Sequence, residues 1–214
     1  MDTYGYKDLN NKEKWSAEEV LEFWKNPVNK SERENNNPAN YLKGEKRSKY
    51  VVELISQYLS QDSRILEIGC NVGRNLNFLY NAGFINLSGI EINKDAINLM
   101  ASTYPDMFKN TIIMNSSVEV ALPNIIDESY DLIFTMAVLE HIHYDSEFIF
   151  SDIARIAKRY IITIEDEITL WSERHFPRNY KDIFENSVWK QIFEINCQNI
   201  GILDDRFWVR IFRK

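Results

Sequence analysis

Three observations predict an α/β fold built on a doubly wound, mostly parallel sheet of seven strands. Short apolar runs alternate with segments whose apolar residues recur at helical spacing, and the connections are long enough for the crossovers that parallel neighbours require. Two strand-like runs then follow one another at the end of the chain and read as an antiparallel hairpin. The 214 residues are read as a single domain: an N-terminal helix and cap loop (1–45), a core (46–164), an insertion (165–187) and a terminal β-hairpin (188–214).

Each element has a local cause. Ser16-Ala17-Glu18-Glu19 has the form of a capping box, and Val20, Leu21, Phe23 and Trp24 give the helix an apolar face before Pro27 stops it. The stretch from Asn26 to Gly44 lacks apolar periodicity and is expected to be a mobile loop able to cover a site. Tyr50, Val51, Leu54, Ile55 and Tyr58 place a sheet-packed helix over 46–59. Strands are expected at 64–68, 87–90, 111–114, 131–135 and 160–164. Helices between them run over about 74–81, from the Asn93 cap to Pro105, and from Asp145 or Ser146 through Ala157. After Glu165 the alternation breaks into an aromatic, polar segment, and the hairpin strands are expected at 188–195 and 207–212.

Composition narrows the function. A net charge of −7 disfavours general attraction to nucleic-acid phosphates. The two cysteines, Cys70 and Cys197, have no zinc-site spacing and are too few for a disulfide framework, which suits a reducing compartment. The first residues lack an apolar signal core and no apolar run is long enough to cross a bilayer, so a cytoplasmic protein with no membrane partner is expected.

The chemistry centres on Ile65-Leu66-Glu67-Ile68-Gly69-Cys70-Asn71-Val72-Gly73, a strand leading through a glycine-bearing turn into a helix. Glycine lets backbone approach a ligand closely, and the helix start offers unpaired N–H groups. A dinucleotide fingerprint would carry glycine where Asn71 and Arg74 stand, which weakens a nicotinamide reading. Glu91, ending the second strand, can accept hydrogen bonds from both hydroxyls of a ribose. Cys70 has no evident base beside it and reads as structural.

With Gly89-Ile90-Glu91-Ile92, Ser116-Ser117-Val118-Glu119 with Leu122-Pro123, and the run from Asp131 to His141, the loop resembles the class I methyltransferases dependent on S-adenosylmethionine, over roughly residues 46–164. The resemblance implies a Rossmann-like methyltransferase fold whose seventh strand lies antiparallel between the fifth and sixth. It implies S-adenosyl-L-methionine as cofactor and S-adenosyl-L-homocysteine as product. Glu67, Gly69, Cys70, Asn71 and Gly73 would surround the methionine part, Glu91 would hold the ribose hydroxyls, and Ile92 would face the adenine. Ser117 and Val118 would border the adenine edge, with Thr135 or Met136 beside the cofactor's amino group. Ser117 stands where the family carries an acid, and Asn71 where it carries its middle glycine. Arg47 and Tyr41 are placed to close over the cofactor from the N-terminal side, Tyr41 at the acceptor end.

His141 is the candidate general base, and Glu140, Trp171, Arg174, His175 and Tyr180 are the candidate acceptor contacts. Glu140-His141 also resembles the metal-binding segment of small RNA 2′-O-methyltransferases, but Ala137 stands at its first glutamate position, and no metal is expected. The reading is methyl transfer to an oxygen or nitrogen of a small molecule or saccharide. A non-catalytic cofactor-binding partner module is the first alternative, and a metal-assisted RNA 2′-O-methyltransferase the second.

Overall fold

The computed structural model describes residues 13–26, 36–169 and 172–214. Its strands are β1 (Arg64–Ile68), β2 (Asn86–Glu91), β3 (Ile112–Asn115), β4 (Tyr130–Met136), β5 (Ala157–Asp166), β6 (Lys190–Asn196) and β7 (Phe207–Arg213). They form one sheet in the order β3-β2-β1-β4-β5-β7-β6. The first five pair in parallel, while β7 runs antiparallel to both β5 and β6. The expected seven strands and the antiparallel insertion of the seventh are both present.

The helices are α1 (Ala17–Lys25), α2 (Glu45–Ser56), α3 (Arg74–Asn81), α4 (Lys94–Thr103), α5 (Pro105–Lys109), α6 (Val118–Ala121), α7 (Phe148–Ile156), α8 (Tyr180–Phe184) and α9 (Cys197–Ile200). Among the described residues no helix is long and apolar enough to cross a membrane. The Ser16 hydroxyl accepts from Glu19 N–H and the Glu19 carboxylate from Ser16 N–H, so the capping box of α1 is formed.

Both faces of the sheet are covered, which is why its central strands read as nearly continuous apolar runs. On one face Ile65, Leu132, Phe134 and Ile164 pack against Val51, Leu54 and Ile55 of α2 and Leu76 and Leu79 of α3. On the other, Leu66, Ile68, Ile133 and Ile161 pack against Ile149, Ile153 and Ile156 of α7. Strand order reverses between β1 and β4, and ligands of open α/β sheets bind beyond the carboxyl ends of the strands at that point.

Several boundaries differ from the sequence reading. The helix expected from residue 145 begins at Phe148, because 3-10 turns at Leu139–His141 and Tyr144–Ser146 take up the preceding chain. Strand β5 begins directly at Ala157, three residues early, since Ala157 already pairs with Tyr130 across a bulge. The cap loop is partly built: Pro38–Leu42 forms a 3-10 turn whose start is capped by the Asn37 side chain accepting from Ala39 N–H at 3.0 Å. Residues 27–35 of that loop lie outside the described residues. Four short helices, α5, α6, α8 and α9, were not expected, being too short to show a period.

A buried ion pair fastens the antiparallel edge to the parallel core. The Arg210 guanidinium, 5% exposed, donates to both oxygens of Glu167 at 2.7 and 2.8 Å and to Glu194 at 2.5 Å. Replacing one partner leaves the other as an uncompensated buried charge, typically costing about 3–5 kcal/mol. Arg210→Met is therefore expected to lower the denaturation midpoint strongly, with Glu167→Leu added in the same chain recovering much of the loss; an Arg210→Met midpoint equal to wild type would refute this role.

Candidate active site

The site begins with a chain of buried hydrogen bonds behind the loop after β1. Arg74 Nε donates to Ser48 Oγ (2.9 Å), Ser48 donates to Asn75 Oδ1 (2.6 Å), and Asn75 Nδ2 donates to Glu67 Oε1 (2.7 Å). Arg74 Nη1 also donates to the carbonyls of Tyr41 (2.8 Å) and Lys43. One guanidinium thus ties the cap loop to α2 and to the carboxylate on β1. Burial pushes the Glu67 carboxyl up to about 8, against the opposing pull of Asn75 and Arg74.

The loop itself is bent by three residues at positive φ: Gly69 (68°), Asn71 (48°) and Gly73 (71°). Asn71 adopts the left-handed conformation that asparagine tolerates best among residues with a side chain. A Cβ on Gly69 would lie 2.4 Å from Val138, so the loop and the turn after β4 touch through the missing side chain. Glu91 locks the loop from the next strand: its carboxylate accepts from Asn71 N–H at 2.8 Å and Asn93 N–H at 2.7 Å. Burial outweighs these bonds and raises the Glu91 carboxyl above its ordinary range.

The turn after β4 forms the facing wall. Ala137 takes φ 56°, a conformation unfavourable for a residue with a Cβ, and its N–H donates to Ile164 carbonyl at 2.9 Å. Glu165 at the end of β5 accepts from the next two amides, Val138 and Leu139, both at 2.9 Å. In return Glu140 Oε2 accepts from Asp166 N–H at 2.8 Å. Phe176 N–H donates to the Glu140 carbonyl (2.6 Å), and His141 Nδ1 lies 3.3 Å from the Arg174 carbonyl. A carbonyl only accepts, so the His141 proton sits on Nδ1 and Nε2 carries the lone pair.

A cavity of 340 Å³ lies between these walls. It is lined by Glu67, Gly69, Cys70, Asn71, Glu91, Ile92, Ser117, Val118 and Met136 on one side, and by Arg47, Tyr41, His141, Arg174 and His175 on the other. Those fourteen residues are brought together as the sequence anticipated. Gly73 does not line the cavity; it starts α3, and a Cβ there would strike Met100 at 2.6 Å. Thr135, 1% exposed, turns into the core beneath the turn. Glu140, 3% exposed, stands behind His141 rather than in the cavity. Tyr180 is a correction: it is fully buried on the outer face of the sheet among Phe150 and Phe184, where the packing of α8 places it, and it cannot contact an acceptor from there. Trp171 lies outside the described residues.

Sequence reasoning missed α1 as a wall. Val20, Leu21 and Trp24 line the cavity, and the Trp24 ring lies 4.5 Å from that of His141. The signal was an apolar helix face with no strand beside it to cover. It also missed Glu119, whose Oε2 is buried at the cavity edge two residues after Ser117. Cys70 is raised well above its ordinary value by burial and by Glu91, and its Sγ fills the space a Cβ on Gly89 would need, so it packs rather than attacks.

The two halves differ in charge. Glu67, Glu91 and Glu119 border the loop half, while Arg47, Arg174, His141 and His175 border the other. Among the described residues, Glu67 Oε2, Asn71 Oδ1 and Glu119 Oε2 are buried acceptors without a hydrogen-bond partner. Such orphaned oxygens require donors. A ligand with an ammonium, ribose hydroxyls, an amino-purine and a positive charge fits that demand.

The family model of a methyltransferase domain matches residues 43–180. The chain belongs to the class I methyltransferases, a family that uses S-adenosyl-L-methionine as methyl donor. The methyltransferase fold recurs in solved structures of low identity. The magnesium protoporphyrin IX methyltransferase of Synechocystis PCC 6803, solved with S-adenosylmethionine bound, is 14% identical with a TM-score of 0.65, the match covering 92% of this chain and 95% of that one. The PH0226 protein of Pyrococcus horikoshii OT3 is 12% identical, TM-score 0.62, over 79% of this chain and 90% of that one. The [4+2]-cyclase SpnF is 10% identical, TM-score 0.61, over 77% and 80%. No curated relative matches in sequence. At such identities the likeness is one of fold, which does not fix the reaction.

Burial and the Arg174 charge hold both cavity imidazoles neutral, His141 well below its ordinary value and His175 down to about 4. At pH 5.5, where an unperturbed histidine is about nine-tenths protonated, long-range 1H–15N spectra should show both rings neutral and His141 as its Nδ1–H tautomer. A protonated His141 at that pH would contradict the neutral ring, and an Nε2–H tautomer would contradict the hydrogen-bond assignment.

Proposed function

We propose that the protein transfers a methyl group from S-adenosyl-L-methionine to an oxygen or nitrogen of a small-molecule or saccharide acceptor. The observation that carries the reading is the cavity at the switch point, with orphaned carboxylate and amide oxygens on the loop side and neutral imidazoles opposite. When bound, the cofactor supplies an electrophilic methyl on a sulfonium.

The chain's residues do the rest. Glu67 and the Asn71 turn receive the methionine ammonium, Glu91 keeps lone pairs for the ribose hydroxyls, and Ile92 and Val118 hold the adenine. Glu119 takes the place of the acid that the family carries at the Ser117 position. Arg47 faces the cofactor carboxylate. Opposite them, α1, Tyr41 and the Arg174-His175 segment enclose the acceptor, and enclosure favours a small acceptor over a polymer. Orienting it in line can remove about 7–11 kcal/mol of barrier. Where the acceptor must lose a proton, His141 Nε2 is the base, adding on the order of 10²–10⁴-fold.

Two measurements test the reading. Because the Glu67 carboxyl titrates near 8, binding of the cationic cofactor at pH 7 favours its ionised form and releases protons, and affinity rises as pH increases toward 8. Calorimetry of S-adenosylmethionine binding in buffers of different ionisation enthalpy should detect the release; Glu67→Gln should abolish it and weaken binding ~10–100-fold, as expected for a lost hydrogen bond to a charged group. Pronounced binding without proton release would remove Glu67 from the ammonium site. On the acceptor side, His141→Ala is expected to cut turnover on the order of 10²–10⁴-fold while S-adenosylhomocysteine affinity stays close to wild type. Tight cofactor binding with no transfer to any member of a small-molecule and saccharide panel would favour the non-catalytic module.

A further inference from the structure

The geometry points to a divalent transition-metal site formed by Glu140, His141 and His175 at the acceptor end of the cavity. One ligand atom from each of these residues lies within 4.8 Å of the other two, though they come from segments 34 residues apart in sequence. Both segments are fixed through their backbone carbonyls: Phe176 N–H donates to the Glu140 carbonyl at 2.6 Å, and the Lys14 side chain donates from Nζ to the carbonyls of Ser172 (2.7 Å) and His175 (3.0 Å).

The His141 ring is oriented as in a metal site. Metal-binding histidines usually donate their second N–H to a carbonyl or carboxylate, which fixes the tautomer. His141 does so through Nδ1 to Arg174, and its Nε2 lone pair is left 3.8 Å from Glu140 Oε1. Glu140 Oε2 is engaged by Asp166 N–H, and Oε1 is the oxygen nearer the imidazole, on a carboxyl that also shares a hydrogen bond with Glu165. The His141 and His175 rings lie 4.6 Å apart, centroid to centroid, and both reach the cavity, where an open coordination position would meet the acceptor.

Two imidazoles and one carboxylate suit zinc, cobalt or iron rather than magnesium, which prefers an all-oxygen shell. Ligand atoms on a tetrahedral zinc stand about 3.4 Å apart, so loading draws the looser pairs inward by about an ångström. Asp166 beside the triad offsets part of the nearby charge of Arg174, Lys14 and Arg206. A metal held there would polarise an acceptor hydroxyl and lower its pKa, so the hydroxyl would lose its proton without His141 acting as base. That acceptor role rests on the methyl-transfer reading; the metal site itself does not.

Metal-free protein titrated with Co²⁺ is expected to bind one equivalent, develop visible d–d bands of low-coordinate cobalt, and lose them on addition of Zn²⁺. His141→Ala and His175→Ala should each weaken Co²⁺ binding beyond the ~10–100-fold that loss of an outer-shell partner costs. His143 is the chain's only other histidine, and its Nδ1 accepts from Asp145 N–H at 3.0 Å; His143→Ala should bind cobalt as wild type does. Circular dichroism and S-adenosylhomocysteine calorimetry on each variant report folding and the donor site separately. Absence of stoichiometric Co²⁺ and Zn²⁺ binding by the wild-type protein, or d–d bands that persist unchanged in His141→Ala and His175→Ala, would overturn the site. Failure of wild-type protein to bind S-adenosylhomocysteine would overturn the methyl-transfer reading and leave the metal result standing.

Discussion

The one-way chain of hydrogen bonds from Arg74 through Ser48 and Asn75 to Glu67 is the constraint on which the rest of the site depends. Every member is buried, and each group donates to the next, so none can leave without stranding a polar partner. Its ends differ in purpose. The guanidinium holds the cap loop at Tyr41 and Lys43, and the carboxylate presents its unpartnered oxygen to the cavity. Through this chain the strand, two helices and the cap loop are positioned together, so the loop half of the cavity is set before any ligand arrives.

The opposite half depends on a second reciprocal arrangement. Glu165 accepts from the turn after β4, and Glu140 within that turn accepts from the chain just beyond Glu165. These bonds hold Ala137 at positive φ, where a residue with a side chain is not otherwise stable. Two carboxyl groups buried this closely cannot both ionise easily, and burial raises each above its ordinary value. The same turn brings His141 against Trp24 of α1 and His175 of the insertion. This wall of the cavity is thus assembled from three parts of the chain that share no strand.

Gly69 joins the two halves. Its missing Cβ lets Val138 approach to contact distance, so the loop after β1 and the turn after β4 cannot shift independently. The charge difference across the cavity follows from the same construction: carboxylates arrive at strand ends β1 and β2, while basic groups arrive from α2 and the insertion. A cationic donor is favoured on one side, and neutral imidazoles face it from the other.

The sequence by itself determined the strand–helix alternation, the β1 loop, Glu91 and the family, because each is written in short-range patterns: period, glycine spacing and the residue at a strand's end. Most of the fourteen anticipated residues that line the cavity lie in or beside those patterns, while Tyr41, Arg174 and His175 come from the cap loop and the insertion. Only the tertiary structure decided that Tyr180 packs in the core, that Thr135 and Glu140 stand behind the wall, and that Glu119 brings a carboxylate to the cavity edge. It also decided that α1 closes the cavity and that Glu140, His141 and His175 converge. Such facts depend on which face of an element meets which neighbour, and contacts between residues far apart in sequence leave no local period to read.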